Sequence, residues 1–422
     1  MRLRGNPAEP SRIAPDMTDP LVTRLNFTDE HLRDIPCPRR VLRLTRGLGS
    51  GLTHDAEGRL WALGDRGPNL KVKPAVETYG LERLAFQTDQ AAKIMPATDI
   101  GPALAELRLE GDTVEVVRLL PLRGEDGRPL SGLPTPGSAN SRREPALATD
   151  GSPLAPDPGG VDSEGIAAVP GGGFWIGDEY GPSLLRVDGD GKVLMRWVPK
   201  GKAHTVADAP YPSADVLPAL AARRHVNRGF EALALTPDGK ALTLAFQSPL
   251  AHPDDEAHAQ GRHVRLMRFD TDTGVLLGQW AYPLEPPERF RRDLAKRPLA
   301  RADLKVSEVT TLDESRLLVL ERGSETTKIF LVDLADECAL PDEHALAETW
   351  PTLEELSAAG DFPLPELAKR LVFDSDRHPE VSADLEGMTL LDERTLLLVN
   401  DNDFGIEDAA TVFWRVEFAE AL

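Results

Sequence analysis

The residues DLEGMTLLDERTLLLVNDNDFG, Asp384 to Gly405, read as two short apolar strands joined by the polar turn DERT and bracketed by carboxylates. Four relatives of this stretch lie upstream: GLGSGLTHDAEGRLWALGDRGPN from Gly47, DSEGIAAVPGGGFWIGDEYGPS from Asp162, GFEALALTPDGKALTLAFQSP from Gly229 and VSEVTTLDESRLLVLERGS from Val306. In each, Gly, Asp or Pro supplies the backbone angles of a hairpin turn between a first, alternating strand and a second, apolar one. Most units are followed by another hairpin: LAELRLEGDTVEVVRLLPL from Leu104, SLLRVDGDGKVLMRWVPKG from Ser183 and HVRLMRFDTDTGVLLGQWAYPL from His263. Two successive hairpins make a four-stranded antiparallel sheet. Sheets repeating at about 70 to 80 residues in the later units are the mark of a β-propeller, whose blades bury their faces against one another.

The expected fold is therefore all-β: a β-propeller of five or six four-stranded blades with a few rim helices. Five units are legible, and a sixth would lie in the N-terminal part or between Leu340 and Asp376. The last unit has one clear strand after its first hairpin, TVFWRVEF at Thr411 to Phe418. An N-terminal strand around RVLRLTRG, Arg40 to Gly47, is expected to complete that blade, because an unpaired edge would otherwise be exposed. Residues 1–20 read as a disordered leader, with Met17 an alternative start, and residues 21–422 as a single propeller domain. The Pro-, Gly- and Ser-rich stretch at about 123–160 lacks periodicity and reads as a long surface loop inserted into it. ERFRRDLAKR near Glu288 and TLEELSAAGDFPLPELAKRLV near Thr352 have helical spacing and are expected at the rim, as a lid or as cover for blade edges.

Composition narrows the function classes. The chain has 422 residues, 41% hydrophobic and 28% charged, and no apolar run near the roughly 18 to 20 residues that span a bilayer. With 69 acidic and 48 basic residues the net charge is −21, which disfavours nucleic acid and anionic membranes and favours a cation partner. Cys37 and Cys338 have no metal-binding spacing; one long-range disulfide stays open. No secretory signal precedes the fold, so the default location is cytoplasmic, or exported if the start lies elsewhere. A monomer is expected.

Every unit but the first places an acidic residue just before its first strand: Glu164, Glu231, Glu308 and Glu386. Second strands end in Asp65 and Arg66, in Asp178 and Glu179, in Gln247, in Glu321 and Arg322, or in Asn400, Asp401 and Asp403. The start of one strand and the end of the next share one end of an antiparallel hairpin, so all these residues are expected at one mouth of the propeller. Converging carboxylates either take up protons or bind a cation, and an oxygen-only donor set favours Ca²⁺. Glu164, Asp178, Glu179, Glu308, Glu386, Asp401 and Asp403 are the candidate metal ligands. Glu231 is the candidate catalytic carboxylate, with Arg66, Arg228 and Arg322 as candidate catalytic cations that orient a phosphate oxyanion. The alternative for each Glu and Arg is a tie between neighbouring blades. His252, His258 and His263 in AHPDDEAHAQGRH could hold a transition metal, though a solvated loop explains them better. The motifs of serine esterases, zinc peptidases and P-loops are absent.

The motifs DSEGIAAVPGGGFWIGDEYGPSLLRVDGDGK, NRGFEALALTPDGKAL, LERG and DLEGMTLLDERTLLLVNDNDFG closely resemble the bacterial phytase-like family described as "esterase-like activity of phytase", from about Gly47 onward. The resemblance implies a β-propeller and, through more distant similarity to calcium-dependent propeller phytases, hydrolysis of phosphate esters. A calcium-dependent phosphoesterase acting on a small anionic substrate is the first expectation. A non-catalytic, calcium-stabilised binding propeller and a lactonase-type hydrolase are the alternatives.

Overall fold

A computed structural model describes residues 19–87 and 89–422, so most of the expected leader lies outside the described residues. Five sheets of four or more strands are present among the described residues, antiparallel except where the outermost strand of one, Ser213–Leu217, joins in parallel. Blade 1 runs from Gly51–His54 through Leu60–Leu63 and Ala103–Glu110 to Thr113–Pro121, and blade 2 from Ser163–Ala168 outward to Ser213–Leu217. Blade 3 spans Phe230–Leu235 to Leu276–Pro283, and blade 4 Lys305–Thr311 to Lys369–Asp374. Blade 5 begins with Leu385–Asp392 and Thr395–Asn400. The first strands of the blades are innermost and neighbour one another in a closed ring from blade 1 through blade 5 and back to blade 1. The protein is a five-bladed β-propeller, and no sixth blade stands between Leu340 and Asp376. That segment is an excursion between the last two strands of blade 4.

Ring closure differs from expectation. Blade 5 is completed by Leu21–Arg24, which pairs with Phe413–Glu417 in the register Leu21 to Glu417 and Arg24 to Trp414. Leu42–Thr45, the strand expected there, pairs instead with His31–Ile35. Its Leu42 and Leu44 bury against Leu70, Val72, Tyr79, Ile94 and Ile406, so its apolar face is claimed by a separate small core. That core also holds the helix Val72–Glu77 and a three-stranded ribbon of Leu70–Lys71, Lys93–Ile94 and Ala146–Leu147. The 123–160 segment thus contributes a strand and the helix Ala139–Arg143 to structure beside the propeller.

Blades are held by apolar layers between adjacent sheets. Trp61 and Leu63 meet Ile166, Phe174 and Leu185 between blades 1 and 2. Leu318 and Leu320 meet Met388, Leu396 and Trp414 between blades 4 and 5, and Leu397, Val399 and Phe413 close the circle against Leu52 and Ala62. Successive residues of one strand face opposite neighbouring blades, so both faces of the inner strands are buried, as Leu396 and Leu398 on one side and Leu397 and Val399 on the other show. The helix Leu353–Ala358 covers blade 3: Arg265 donates to Glu354 at 2.7 and 3.0 Å, and the amides of Arg262 and His263 donate to Ser357 Oγ. Both cysteines are free.

Candidate functional site

The first strand of four blades carries an irregularity just where the acidic residues fall. In blade 3, Phe230 pairs with Phe246 and Ala232 with Ala245, leaving Glu231 out of register. In blade 5, Leu385 pairs with Asn400 and Gly387 with Val399, leaving out Glu386. The slip in blade 2 spans Glu164. A bulge of this kind turns a side chain out of the pleat and re-aims it. In blade 4, however, Val306 pairs with Glu321 and Glu308 with Leu320, so the residue left out is Ser307.

Glu308 is therefore one step out of line with the other three Glu, and its surroundings differ accordingly. Its Oε2 accepts from the Leu52 amide at 3.3 Å and its Oε1 from the Val309 amide at 3.1 Å. Burial pushes its carboxyl well above the usual range, opposed by backbone donors of Leu52, Val309, Met388 and Leu233. Donors from blades 1, 3, 4 and 5 around one carboxyl place it in the channel, where the innermost strands turn an unpaired edge to the axis. The corresponding positions hold Gly51, Gly165, Ala232 and Gly387, and that series leaves room for one large side chain. Glu308→Ala is expected to cost about 1–3 kcal/mol by stranding these amides, while the response of the protein to calcium stays as in the wild type; thermal melts with and without the ion check both.

The residues gathered at the mouth are Asp65, Asp162, Glu164, Glu179, Glu231, Glu386, Asp401 and Asp403, with Arg66, Arg228, Lys305 and Arg322 among them. Asp65, Asp162 and Glu164 are buried, and one carboxylate oxygen of each lies within 4.8 Å of the others. Arg66 Nη1 stands 2.8 Å from Asp162 Oδ2, yet neither oxygen of Asp162 receives an aligned hydrogen bond, and Glu179 Oε2 and Glu231 Oε2 are likewise buried without a donor. Burial pushes the Asp65 carboxyl up to about 7, with Asp403 and Glu386 adding to the rise against the pull of Arg66. Burial, then Glu386 and Glu179, push Glu231 up to about 8. Glu164 and Asp162 are raised well above the usual range by burial, with Glu231 adding to the first and Glu179 to the second. Asp401, Asp403 and Glu386 rise by burial too.

Other expected members are committed elsewhere. Asp178 Oδ2 accepts from Arg196 at 2.5 Å and Ser183 Oγ at 2.7 Å, and its Oδ1 accepts from the Asp162 amide at 2.9 Å. Arg322 donates to Glu386, to Asp384 at 2.9 Å and to Ser307 Oγ at 2.9 Å, tying blade 4 to blade 5. Arg228 donates to Gln247 at 2.6 Å, its Nε buried without an acceptor. Asp162 and Lys305 are absent from the candidates read from the sequence, and Asp65 is placed there at the mouth but not among the ligands. Asp162 stands two residues before Glu164, and that spacing was the available signal. Lys305 pairs with Arg322 across the hairpin, and burial followed by Arg322 and Arg228 depresses its ammonium to about 8.

Two other constellations are chemically idle. His263 lies between Ser357 Oγ at 2.8 Å and Glu366 Oε2 at 2.7 Å, a nucleophile–base–acid order, but Ser357 is 0% exposed and accepts from two amides. No substrate carbon can reach it. His258 instead stacks on His225 at 4.3 Å, so the three histidines of the loop do not converge. At the opposite end of the channel, a cavity of about 490 Å³ is lined by the inner strands, including Leu52, Ile166, Leu233, Val309 and Thr389. It is remote from the carboxylates.

Fold and site together define a five-bladed propeller with a buried, carboxylate-rich centre at one mouth of its channel. The chain belongs to the phytase-like family, described as "Esterase-like activity of phytase", which it matches over residues 44–404. It is 28% identical over 244 residues to an uncharacterized secreted protein of Arthroderma benhamiae, a match covering 51% of this chain and 44% of that one. The chain thus spans less than half the length of that relative. Among solved structures, a luciferin-regenerating enzyme is similar over 95% of this chain and 96% of its own at 12% identity and a TM-score of 0.34. The β-propeller domain of Cps50 (Swd1) from Myceliophteria thermophila is similar over 92% and 99% at 12% identity and a TM-score of 0.33. Both likenesses are too distant to carry an argument. Among the described residues no helix is long and apolar enough to cross a membrane.

Proposed function

We propose that the protein is a calcium-dependent ester hydrolase acting on a small phosphate ester at the acidic mouth. The observation that carries this is the Asp65–Asp162–Glu164 cluster with its unpartnered buried oxygens. Buried carboxylates at this spacing repel one another and must be neutralised by protons or a cation. The donor set is oxygen only, which fits a hard ion, and its irregular outline suits Ca²⁺ better than the strict octahedron of Mg²⁺. Asp65, Asp162 and Glu164 would hold the ion, with Glu179 and Asp401 beside them. A bound divalent ion supplies charge neutralisation at the ester oxygens and acidifies water.

The remaining chemistry belongs to the chain. Glu231, held near 8 by burial and by Glu386 and Glu179, carries or releases a proton near neutrality, the property of a general acid or base. Arg228 keeps Nε free of any acceptor while Gln247 fixes its Nη1, so it can meet an anionic oxygen. Arg66 is oriented by Asp162 and the Tyr180 ring, whose centroid is 5.6 Å from its guanidinium carbon. Export fits the relative described as secreted. A screen of phosphomonoesters, phytate among them, against uncharged lactones tests the substrate class. Turnover of a phosphomonoester, with KM raised about tenfold or more in Arg228→Gln, is expected; faster turnover of a lactone, indifferent to that change, would assign the site to the other ester class.

A further inference from the structure

Off the channel axis, beside blade 2, a small cavity of about 80 Å³ is walled by the 135–142 loop and helix on one side and by Arg196, Lys202, Thr205 and Arg224 on the other. That is room for several waters or one compact ion. No carboxylate lines it, although the protein as a whole carries a charge of −21.

The cations are not equally committed. Arg196 is neutralised by Asp178 at 2.5 Å. Arg224 is only 6% exposed and donates to neutral acceptors alone: the His225 carbonyl, the Tyr180 carbonyl at 2.8 Å and Asn140 Oδ1. Its Nε is buried with no acceptor, and burial depresses its guanidinium from the ordinary value. Arg142 donates to the Gly137 carbonyl, and among the described residues Lys202 has no ion-pair partner. Arg224 likewise has no direct ion pair among the described residues, and only the more distant carboxylates of Glu179, Asp178, Glu144 and Asp162 oppose the cost of burying it. A buried guanidinium without a contacting counter-charge is costly, and three positive side chains around one cavity repel one another. Hydroxyls complete the lining: Ser138, Thr205 and Thr135, whose side chain is 2% exposed and whose Oγ1 has no hydrogen-bond partner among the described residues.

We propose that this pocket binds a tetrahedral dianion of the phosphate type, independently of the metal centre. Arg142, Lys202 and Arg224 supply the charge, and the Thr135 hydroxyl donates to one of its oxygens; the Ser138 and Thr205 hydroxyls, which donate to the Thr135 and Lys202 carbonyls, would turn from those carbonyls to the ion on binding. Guanidinium forks and hydroxyls suit a multiply charged oxyanion, whereas a carboxylate would leave charge uncompensated. The ion would be inorganic phosphate or the terminal phosphoryl group of an ester.

Isothermal titration of the chelator-treated protein with inorganic phosphate, and separately with glycerol 2-phosphate, tests this. Chelation silences the acidic mouth, so binding that survives it, and survives in Glu231→Gln, is not the proposed catalytic site. Saturable binding of phosphate is expected, weakened at least tenfold in the exposed double variant Arg142→Gln, Lys202→Gln with its melting temperature unchanged. Equal affinity for glycerol 2-phosphate assigns the pocket to phosphoryl groups of esters, and binding of phosphate alone assigns it to the free ion. Absence of saturable binding of either, or unchanged binding in the double variant, overturns the proposal.

Discussion

Replacing Glu231 by Gln is expected to lower kcat for ester hydrolysis by about 10²- to 10⁴-fold, the contribution of a positioned acid or base. The fold should survive. Glu231 is 3% exposed, one of its oxygens lacks a donor, and Glu386 and Glu179 crowd it. An amide of the same shape cannot ionise beside these carboxylates and opens no cavity, so the metal-free melting temperature is expected to hold near neutrality and to rise at pH above 8. Loss of turnover with a stable fold separates a catalytic carboxylate from a tie between blades. Turnover within twofold of the wild type would remove Glu231 from the chemistry.

The largest loss of stability is expected from Asp178→Ala. Asp178 and Arg196 are both 0% exposed, and the carboxylate also accepts from Ser183 Oγ and from the amides of Asp162, Tyr180 and Gly181. Removing it strands a guanidinium that otherwise meets only Ser183, the Gly160 carbonyl and Tyr211. Breaking one partner of a buried pair costs about 3–5 kcal/mol, and here it also frees the strand end that aims Asp162 and Glu179. Denaturant unfolding measures the loss. A cost below about 1 kcal/mol would mean that water or another residue replaces the carboxylate.

The raised carboxyls also set a pH dependence. In metal-free protein, Asp65 near 7 and Glu231 near 8 keep protons that the unfolded chain gives up at about 4. Folding therefore takes up protons at these two groups between these limits, and the stability they contribute is full below about pH 4 and is lost as pH rises through 7 to 8. Metal binding displaces the same protons. The rise in melting temperature on adding calcium is accordingly expected to be larger at pH 8 than at pH 5, and the reverse order would contradict a carboxylate-bound ion.

Much of this was legible in the sequence because the propeller repeats its local chemistry. The turns AEG, PGGG, PDGK, DESR and DERT and the alternating strands beside them locate five blades, and a hairpin places Glu164, Glu231 and Glu386 at one end whatever the packing. The closing strand was not legible. LVTR at Leu21–Arg24 is short and half polar, whereas the more apolar Leu42–Thr45 found its core in the small unit around Tyr79 and Ile94. In the sequence Glu308 lines up with the other Glu, since a bulge shifts register by one residue without changing composition. Ser307 occupies its expected place. Asp178 looked like a ligand because its partner, Arg196, lies 18 residues away in sequence, on a strand whose face the local motif does not specify.

The most direct test of the metal-dependent mouth is calcium titration of chelator-treated protein, followed by calorimetry and by hydrolysis of a phosphomonoester in the same samples. The account predicts saturable calcium binding that restores turnover in parallel and that disappears in Glu164→Gln, Asp162→Asn. Hydrolysis that persists in chelator, or calcium binding unchanged in that double variant, would contradict it.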